Sequence, residues 1–160
     1  MSNRWMSLQT GEVQVMSAGR GIVHSEMNNS VTEDLNLFQI WITPNMINIE
    51  PHYNQKKFSA LDRKNVLQYL VSNKAKPITN TLTIQQDARI SRIDLDQNRS
   101  FKYTTQSINH GVYVLLIDGE AKLAGQKLLK RDALGIEQAI DFEIDATKNS
   151  ALLFIEVPMQ

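Results

Sequence analysis

The chain has 160 residues, and its 17 basic side chains balance 17 acidic ones, giving a formal net charge of zero at pH 7. This balance, without any basic run interleaved with aromatics, argues against nucleic acid or an acidic membrane surface as a partner. Cysteine is absent, which excludes disulfides and thiolate metal sites and fits a reducing compartment.

The N-terminus has no basic region followed by an apolar stretch of about 7–15 residues, so no secretory signal is predicted. No apolar run approaches the about 18 residues that a membrane-spanning helix needs. We therefore expect a cytoplasmic protein. A chain of this length can bury a core as one domain or as two small ones.

The first strand signals lie near the N-terminus. Val13 and Val15 alternate with polar neighbours, glycines then interrupt the pattern, and residues 22–26 are predicted to form the next strand. In a strand, side chains two residues apart point to the same side, so His24 and Glu26 would share one face. Such a pair can bind one metal ion. It also occurs as a hydrogen-bonded strand histidine beside a solvated glutamate, and the spacing alone does not decide.

Two segments follow before a predicted boundary. Residues 35–43 are expected to form a strand that changes face at a bulge, with Trp41 either walling a pocket or filling a small barrel. Residues 65–72 fit a strand or one helical turn. Residues 74–77 combine charge with proline and are the best linker, which divides the chain into domains 1–76 and 77–160.

The second half is dense in short strands separated by turns. Residues 112–117 are apolar on both faces, so we expect a central strand covered on both sides. Asp118-Gly119 predicts a two-residue hairpin, and Ala124-Gly125 predicts a second turn. Residues 140–144 alternate strictly between apolar and polar. Strands at this spacing favour an all-β sandwich or barrel.

Nothing in the second half indicates a catalytic centre. His110 precedes a buried strand and is expected to close a turn rather than to bind a metal. Ser25 beside His24 cannot act as a nucleophile with its base, because adjacent strand residues point to opposite faces.

Several motifs together resemble one family. They are GEVQVMSAGRGIVHSE at residues 11–26, LFQIWI at 37–42, PHYNQ at 51–55, IDGE at 117–120 and LLFIEVP at 152–158. This set resembles the pirin family of bicupins, and most of all the bacterial pirin-like proteins with reported quercetinase activity. The resemblance implies two cupin jelly-roll barrels. Here the N-terminal barrel, within residues 1–76, would be incomplete, and the C-terminal barrel, residues 77–160, would be complete.

The resemblance also implies a metal site of three histidines and one glutamate that binds a divalent, iron-like ion. His24 and Glu26 match the third and fourth ligands, and Glu26 would also serve as the catalytic proton relay. The first two ligands belong to an earlier His-x-His strand, and this sequence contains no His-x-His. His52 and His110 lie where the motif has no ligand. The second cupin is implied to be metal-free.

Three functions follow. The first is a quercetin 2,3-dioxygenase-like oxidoreductase that acts on a small flavonol-like substrate and is impaired because two of four ligands are absent. The second is a metal-free, degenerate pirin that acts as a binding or regulatory module, and the third is a truncated product without activity. Whether the chain is an enzyme stays open. An incomplete sheet exposes unpaired backbone groups, so we expect a homodimer or a strand-exchanged oligomer.

Overall fold

The computed structural model describes residues 5–159, which are nearly all β. Residues 1–4 and 160, at the outer ends of the two predicted domains, lie outside the described residues. One short 3-10 helix spans Ala60–Arg63. No helix in the described part of the chain has the length and hydropathy needed to cross a bilayer. The twelve strands of residues 5–159 are β1 (Glu12–Ser17), β2 (His52–Lys57), β3 (Gln68–Asn73), β4 (Leu82–Ile84), β5 (Arg89–Leu95), β6 (Ser100–Thr104), β7 (His110–Asp118), β8 (Glu120–Leu123), β9 (Gln126–Leu129), β10 (Ala133–Ile136), β11 (Asp141–Ala146) and β12 (Ser150–Pro158).

Two facing sheets form most of the molecule. The first has six strands in the order β10-β7-β12-β5-β3-β4, and the second has four in the order β6-β11-β8-β9. Neighbours are antiparallel, except for the parallel pair β3–β4. Strand β11 alternates between exposed and buried positions, as its sequence predicts. The all-β, jelly-roll architecture expected from the sequence is confirmed.

The core between these sheets centres on aromatic side chains. Tyr103 is 1% exposed and stacks between Phe142 and Phe154, with ring centroids 5.3 and 4.8 Å away. Branched aliphatic residues from both sheets surround this stack. Because apolar area removed from water contributes about 25 cal/mol per Å2, this continuous core is the main source of the sandwich's stability.

Strands β1 and β2 form a separate two-stranded ribbon, paired from Glu12↔Lys57 to Ser17↔His52. Val15 and Phe58 pack against Leu70, Val71 and Leu82 in a second, smaller apolar cluster. The ribbon therefore rests on the β3–β4 end of the six-stranded sheet. An isolated two-stranded ribbon is marginal in water, so this contact is what holds it.

Two predicted strands of the first half are absent. Residues 22–26 and 35–43 have no strand structure, and Trp41 is 88% exposed, so it neither walls a pocket nor fills a barrel. These predictions are wrong. A strand needs a neighbour for its backbone hydrogen bonds, and among residues 5–159 the ribbon strands pair only with each other.

One predicted hairpin is a passage between sheets. β7 belongs to the six-stranded sheet and β8 to the four-stranded sheet, so Asp118-Gly119 does not join paired strands. Gly119 has φ +98°, and a Cβ there would lie 2.2 Å from the Asn149 carbonyl oxygen. The second turn, at Ala124-Gly125, does join the paired strands β8 and β9, as predicted.

Strand β7 is buried on one face only. Val112, Val114 and Leu116 lie in the core, whereas Tyr113 is 50% exposed. The expectation of cover on both faces is wrong, because no second layer of the described chain lies over this part of the sheet.

The predicted linker is a turn within one sheet. The sequence of residues 65–72 fits either a strand or one helical turn. In the structure, β3 is a strand that pairs with β4 in parallel and with β5 antiparallel. Residues 74–77 begin the connection from β3 to β4, which runs over residues 74–81. The division into 1–76 and 77–160 stays a prediction, and β3 joins the larger sheet from the N-terminal side of that boundary.

Candidate functional site

The two residues proposed as metal ligands lie on the irregular segment that follows β1. Both His24 and Glu26 are exposed, and no strand holds them on a common face. The prediction that they share one face of a strand is wrong, because residues 22–26 form no strand in the described chain. Their assignment as metal ligands stays a prediction.

Glu26 is tied to the ribbon through β1. The Gln14 side-chain amide donates a hydrogen bond from Nε2 to Glu26 Oε1 at 2.6 Å. No donor among residues 5–159 bonds to the other carboxylate oxygen, Oε2. A hydrogen bond to a charged acceptor is stronger than one between neutral groups, so it orients the carboxylate.

A phenol on β2 completes this polar network. The Tyr53 hydroxyl lies 2.5 Å from Gln55 Oε1 and 3.2 Å from Gln14 Oε1. Since a phenol has one proton, the hydroxyl donates mainly to Gln55 Oε1, and its contact with Gln14 Oε1 is weaker. Burial raises the pKa of Tyr53, and the charges of Glu12 and Glu26 raise it further. Two carboxylates therefore lie close enough to Tyr53 to disfavour loss of its proton.

The donor set of one chain does not fit the metal centre that the resemblance implies. Within residues 5–159, no group of three His, Cys, Asp or Glu side chains is placed to share a metal ion. A first-row metal site needs at least three protein donors in its usual geometries, and exposed ligands must also compete with water. His24 and Glu26 form half of such a site.

His52 does not complete that half. It ends the ribbon opposite Ser17 and lines a cleft of about 110 Å3 against β4. The wall of this cleft carries charges of both signs, including Glu50 and Lys74. His52 therefore belongs to the contact between ribbon and sheet.

His110 closes a turn, as expected. It is 7% exposed, and its Nδ1 lies 2.9 Å from the Ser107 hydroxyl. Its Nε2 lies 3.3 Å from the Asp87 carbonyl oxygen and 3.6 Å from Asp87 Oδ2. Sequence reasoning missed this Ser–His–Asp arrangement, whose only local signal is the three-residue spacing. The Asn109 backbone amide also donates to Ser107 Oγ at 3.2 Å, so the Ser107 hydroxyl stabilises this turn.

A buried carboxylate was also missed. Glu156 is fully buried and accepts hydrogen bonds from the Tyr103 hydroxyl, at 2.9 Å, and from the Gln106 amide, at 2.6 Å. Burial, and then the charge of Glu156, raises the pKa of Tyr103. Glu156 lies two residues after the core residue Phe154, and this period of two was the available signal.

Two family models match the chain. The model described as the quercetinase C-terminal cupin domain matches residues 69–157, and the model described as pirin matches residues 3–42. The first begins within β3 and ends within β12, so it spans the sandwich. The second includes β1, His24 and Glu26.

Curated relatives agree with these models. The chain is 35% identical over 150 residues to quercetin 2,3-dioxygenase of Escherichia coli (strain K12), which covers 92% of this chain and 62% of the relative. It is 32% identical over 146 residues to a pirin-like protein of Caulobacter vibrioides, covering 91% of this chain and 62% of that one. The chain thus spans less than two thirds of the relatives' length.

Solved structures give the same result. The bacterial pirin YhhW from E. coli, in complex with nickel(II), superposes with a TM-score of 0.84 at 32% identity, covering 94% of this chain and 62% of that one. A second YhhW structure gives a TM-score of 0.85 at 33% identity. The C-terminal model alone covers more than half of the sequence, and relatives and structures match nearly all of it. The chain belongs to the pirin family of cupin proteins.

Proposed function

We propose that this protein is a pirin-like cupin whose family activity is the metal-dependent 2,3-dioxygenation of flavonols such as quercetin. That activity is impaired or lost in the single chain, because its 160 residues contain two of the four ligands. The observation that carries this proposal is the half-site. His24 and Glu26 match the family motif, and within residues 5–159 no group of three possible donors is placed to share a metal ion.

The names of the relatives support the reaction class. Proteins at 30–35% identity carry quercetin 2,3-dioxygenase in their names, and a similar solved structure holds nickel(II). A divalent, iron-like metal and a flavonol-like substrate are proposed for this chain on that basis. Because the chain spans less than two thirds of these relatives, the metal and the substrate are both proposals for this chain.

Glu26 is proposed as the group that carries a proton. Its Oε1 is held by Gln14, and its exposed position lets a substrate hydroxyl approach Oε2. A positioned carboxylate can then accept the proton of an acidic hydroxyl within hydrogen-bond reach. His24, two residues earlier, is the proposed neighbouring metal ligand.

The second candidate function is a metal-free binding module. Large apolar side chains are exposed along the segment after β1. Monomeric proteins seldom expose large contiguous apolar patches unless these serve an interaction. The exposed side chains include Val23, Met27, Val31, Leu35, Leu37, Phe38, Ile40 and Trp41. This surface also supports a homodimer or a strand-exchanged oligomer. We propose a cytoplasmic location, consistent with the absence of cysteine.

Metal content distinguishes the two functions. The purified chain is exchanged into chelator-free buffer, and iron, nickel, manganese and zinc are measured per chain together with quercetin consumption. Metal that is lost in His24→Ala and kept in His52→Ala would support the dioxygenase. Thermal stability that does not change on metal addition would support the binding module, because a ligand that binds only the native state must stabilise it.

A further inference from the structure

Two guanidinium groups meet one carboxylate on the outer face of the six-stranded sheet. Arg92 and Asp94 of β5 alternate with core residues, so both project from the face opposite the core. Arg63, the last residue of the 3-10 helix, donates from Nε to Asp94 Oδ2 at 2.8 Å. Three charged side chains therefore converge at one point of the sandwich.

The positive charge at this point is only partly balanced. Arg92 Nη2 lies 3.5 Å from Asp94 Oδ1, which is longer than the roughly 2.7–3.2 Å of an ordinary hydrogen bond. No second carboxylate of the described chain forms an ion pair with Arg92 or with Arg63. Asp96, just after β5, is paired with Lys64. Burial lowers the pKa of Arg92, and the charge of Arg63 lowers it further, as expected where one carboxylate neutralises two guanidinium groups.

Two buried polar atoms at this point have no hydrogen-bond partner among residues 5–159. They are Arg92 Nε, a donor, and Gln68 Oε1, an acceptor. Gln68 lies directly opposite Arg92 in the pairing of β3 with β5, so the two side chains share one face of the sheet. The Gln68 amide nitrogen donates to the Ser59 carbonyl oxygen at 3.2 Å, which leaves Oε1 as the end without a partner. Buried groups of this kind favour a ligand that bonds to both.

These groups define a ligand by its chemistry. A guanidinium binds carboxylate or phosphate oxygens through paired N–H donors, and the Arg92 side chain, 27% exposed, is within reach of a small ion. Gln68 Oε1 repels a bare oxyanion and accepts a hydrogen bond from a hydroxyl. Leu153, the other neighbour of Arg92 in the sheet, is 4% exposed, and this apolar neighbour strengthens the attraction between charges. Hydrogen phosphate and 2-hydroxy carboxylates combine the two groups that the site requires.

We propose that the outer face of the sandwich binds an oxyanion that carries a hydroxyl, with its charged oxygens on Arg92 beside Arg63 and its hydroxyl donating to Gln68. The binding class is therefore a small hydroxy carboxylate or a protonated phosphate group. The site lies on the sandwich and uses neither His24 nor Glu26, so it goes beyond the proposed function and does not rest on it.

Side-chain nitrogen–proton NMR tests this proposal, because each arginine Nε–H group gives its own signal. The full chain is titrated with sodium phosphate at an ionic strength held constant with sodium chloride. The Arg92 signal should shift and saturate. The signal of Arg89, which lies over the Tyr69 ring at 5.7 Å, should stay in place.

Matched pairs of ions test the hydroxyl. Phosphate should bind about fivefold more tightly than sulfate, and glycolate about fivefold more tightly than acetate, because only the first ion of each pair donates a hydrogen bond to Gln68. Gln68→Met should abolish both preferences. The tighter of phosphate and glycolate identifies whether a phosphate group or a hydroxy carboxylate is the better ligand.

Matched variants test the charges. Arg92→Lys keeps the charge but removes the paired donors, so it should weaken phosphate binding about tenfold. Arg89→Lys, on the same strand, is the control and should leave the affinity unchanged. Asp94→Asn should tighten phosphate binding, because it removes the carboxylate that competes for both guanidinium groups. Phosphate should also raise the melting temperature of the wild type more than that of Arg92→Lys, since a ligand that binds only the native state stabilises it.

Three results would overturn the proposal. An Arg92 signal that neither phosphate nor glycolate moves would show that the three charges form a structural network only. Phosphate binding that is unchanged in Arg92→Lys would place the ion elsewhere. Equal affinity for phosphate and sulfate would exclude the contact with Gln68. None of these results bears on metal binding by His24, which the metal analysis of the proposed function measures separately.

Discussion

The sandwich and the N-terminal region show the same kind of local pattern with opposite outcomes. Residues 22–26 and 35–43 have strand-like alternation but form no strand, whereas Asp141–Ala146, with a similar pattern, is a regular strand. The difference lies in their neighbours. Strand β11 pairs with β6 on one side and β8 on the other, and the N-terminal segments have no such partners among residues 5–159.

Exposure follows the same division. Of the twenty large apolar side chains that are exposed in the described chain, thirteen lie between residues 5 and 47. The sandwich instead buries its apolar residues between two sheets. The exposed segment after β1 therefore carries the candidate ligands, while no group of three possible donors in the described sandwich strands is placed to share a metal ion.

The largest expected effect is the loss of the central aromatic stack. Tyr103→Ala should lower the free energy of unfolding by about 3–5 kcal/mol, because it removes a buried ring and leaves a cavity. Tyr113→Ala, at a half-exposed tyrosine on the outer face of β7, should change it by about 0.5 kcal/mol or less. Urea unfolding followed by circular dichroism measures both. Equal losses would show that the stack is not the centre of the core.

Loss of the ribbon contact should be local. Phe58→Ala removes the largest side chain of the small cluster and should destabilise ribbon docking by about 3 kcal/mol, near the lower end for buried phenylalanine. Backbone amide spectra should show β1 and β2 released while β5, β7 and β12 keep their chemical shifts. A simultaneous loss of both regions would contradict the two-part description.

Alkaline pH should act on the sandwich through Tyr103. Its pKa is raised in the folded state by burial and then by Glu156, above the ordinary value of about 10. The folded phenol keeps its proton while the unfolded phenol loses it, so this contribution is complete below pH 10 and is lost as pH rises above that value. Tyr103→Phe should make the alkaline decline shallower. An unchanged slope would mean that another group causes it.

The smallest effect concerns the candidate site. Glu26→Gln should lower the pKa of Tyr53, because the charge of Glu26 is one of the causes that raise it. Absorbance of phenolate during a pH titration, compared with a Tyr53→Phe reference, isolates this group. Glu33→Gln serves as the control and should leave the pKa of Tyr53 where it is. A pKa that does not move would separate Glu26 from the ribbon network.

Much of the fold follows from local patterns in the sequence. Strict alternation predicts β11, and apolar continuity predicts residues 112–117 of β7, because both properties are set by neighbouring residues. Glu156 was in phase with Phe154, so its burial could have been inferred from the same period. The Asp118-Gly119 turn could not be resolved, since a turn signal does not say whether the next strand joins the same sheet.

The candidate site was less predictable than the fold. The motif identified His24 and Glu26, but their exposure depends on whether another sheet covers them, which no local pattern encodes. The Gln14 and Tyr53 contacts depend on the register of β1 against β2, and that register is a property of the pair of strands. Sequence spacing can identify candidate metal ligands, but only the tertiary structure shows whether their side chains lie close enough to bind one ion.

Native-state hydrogen exchange tests most directly whether the sandwich is a complete folded unit and the N-terminal region is an incomplete one. In the isolated chain, amides of β5, β7, β11 and β12 should exchange only with global unfolding, those of β1 and β2 by a local opening of lower free energy, and those of residues 18–51 almost without protection. Equal protection of residues 18–51 and the sandwich strands would show that the N-terminal region is a complete domain, and would contradict this description.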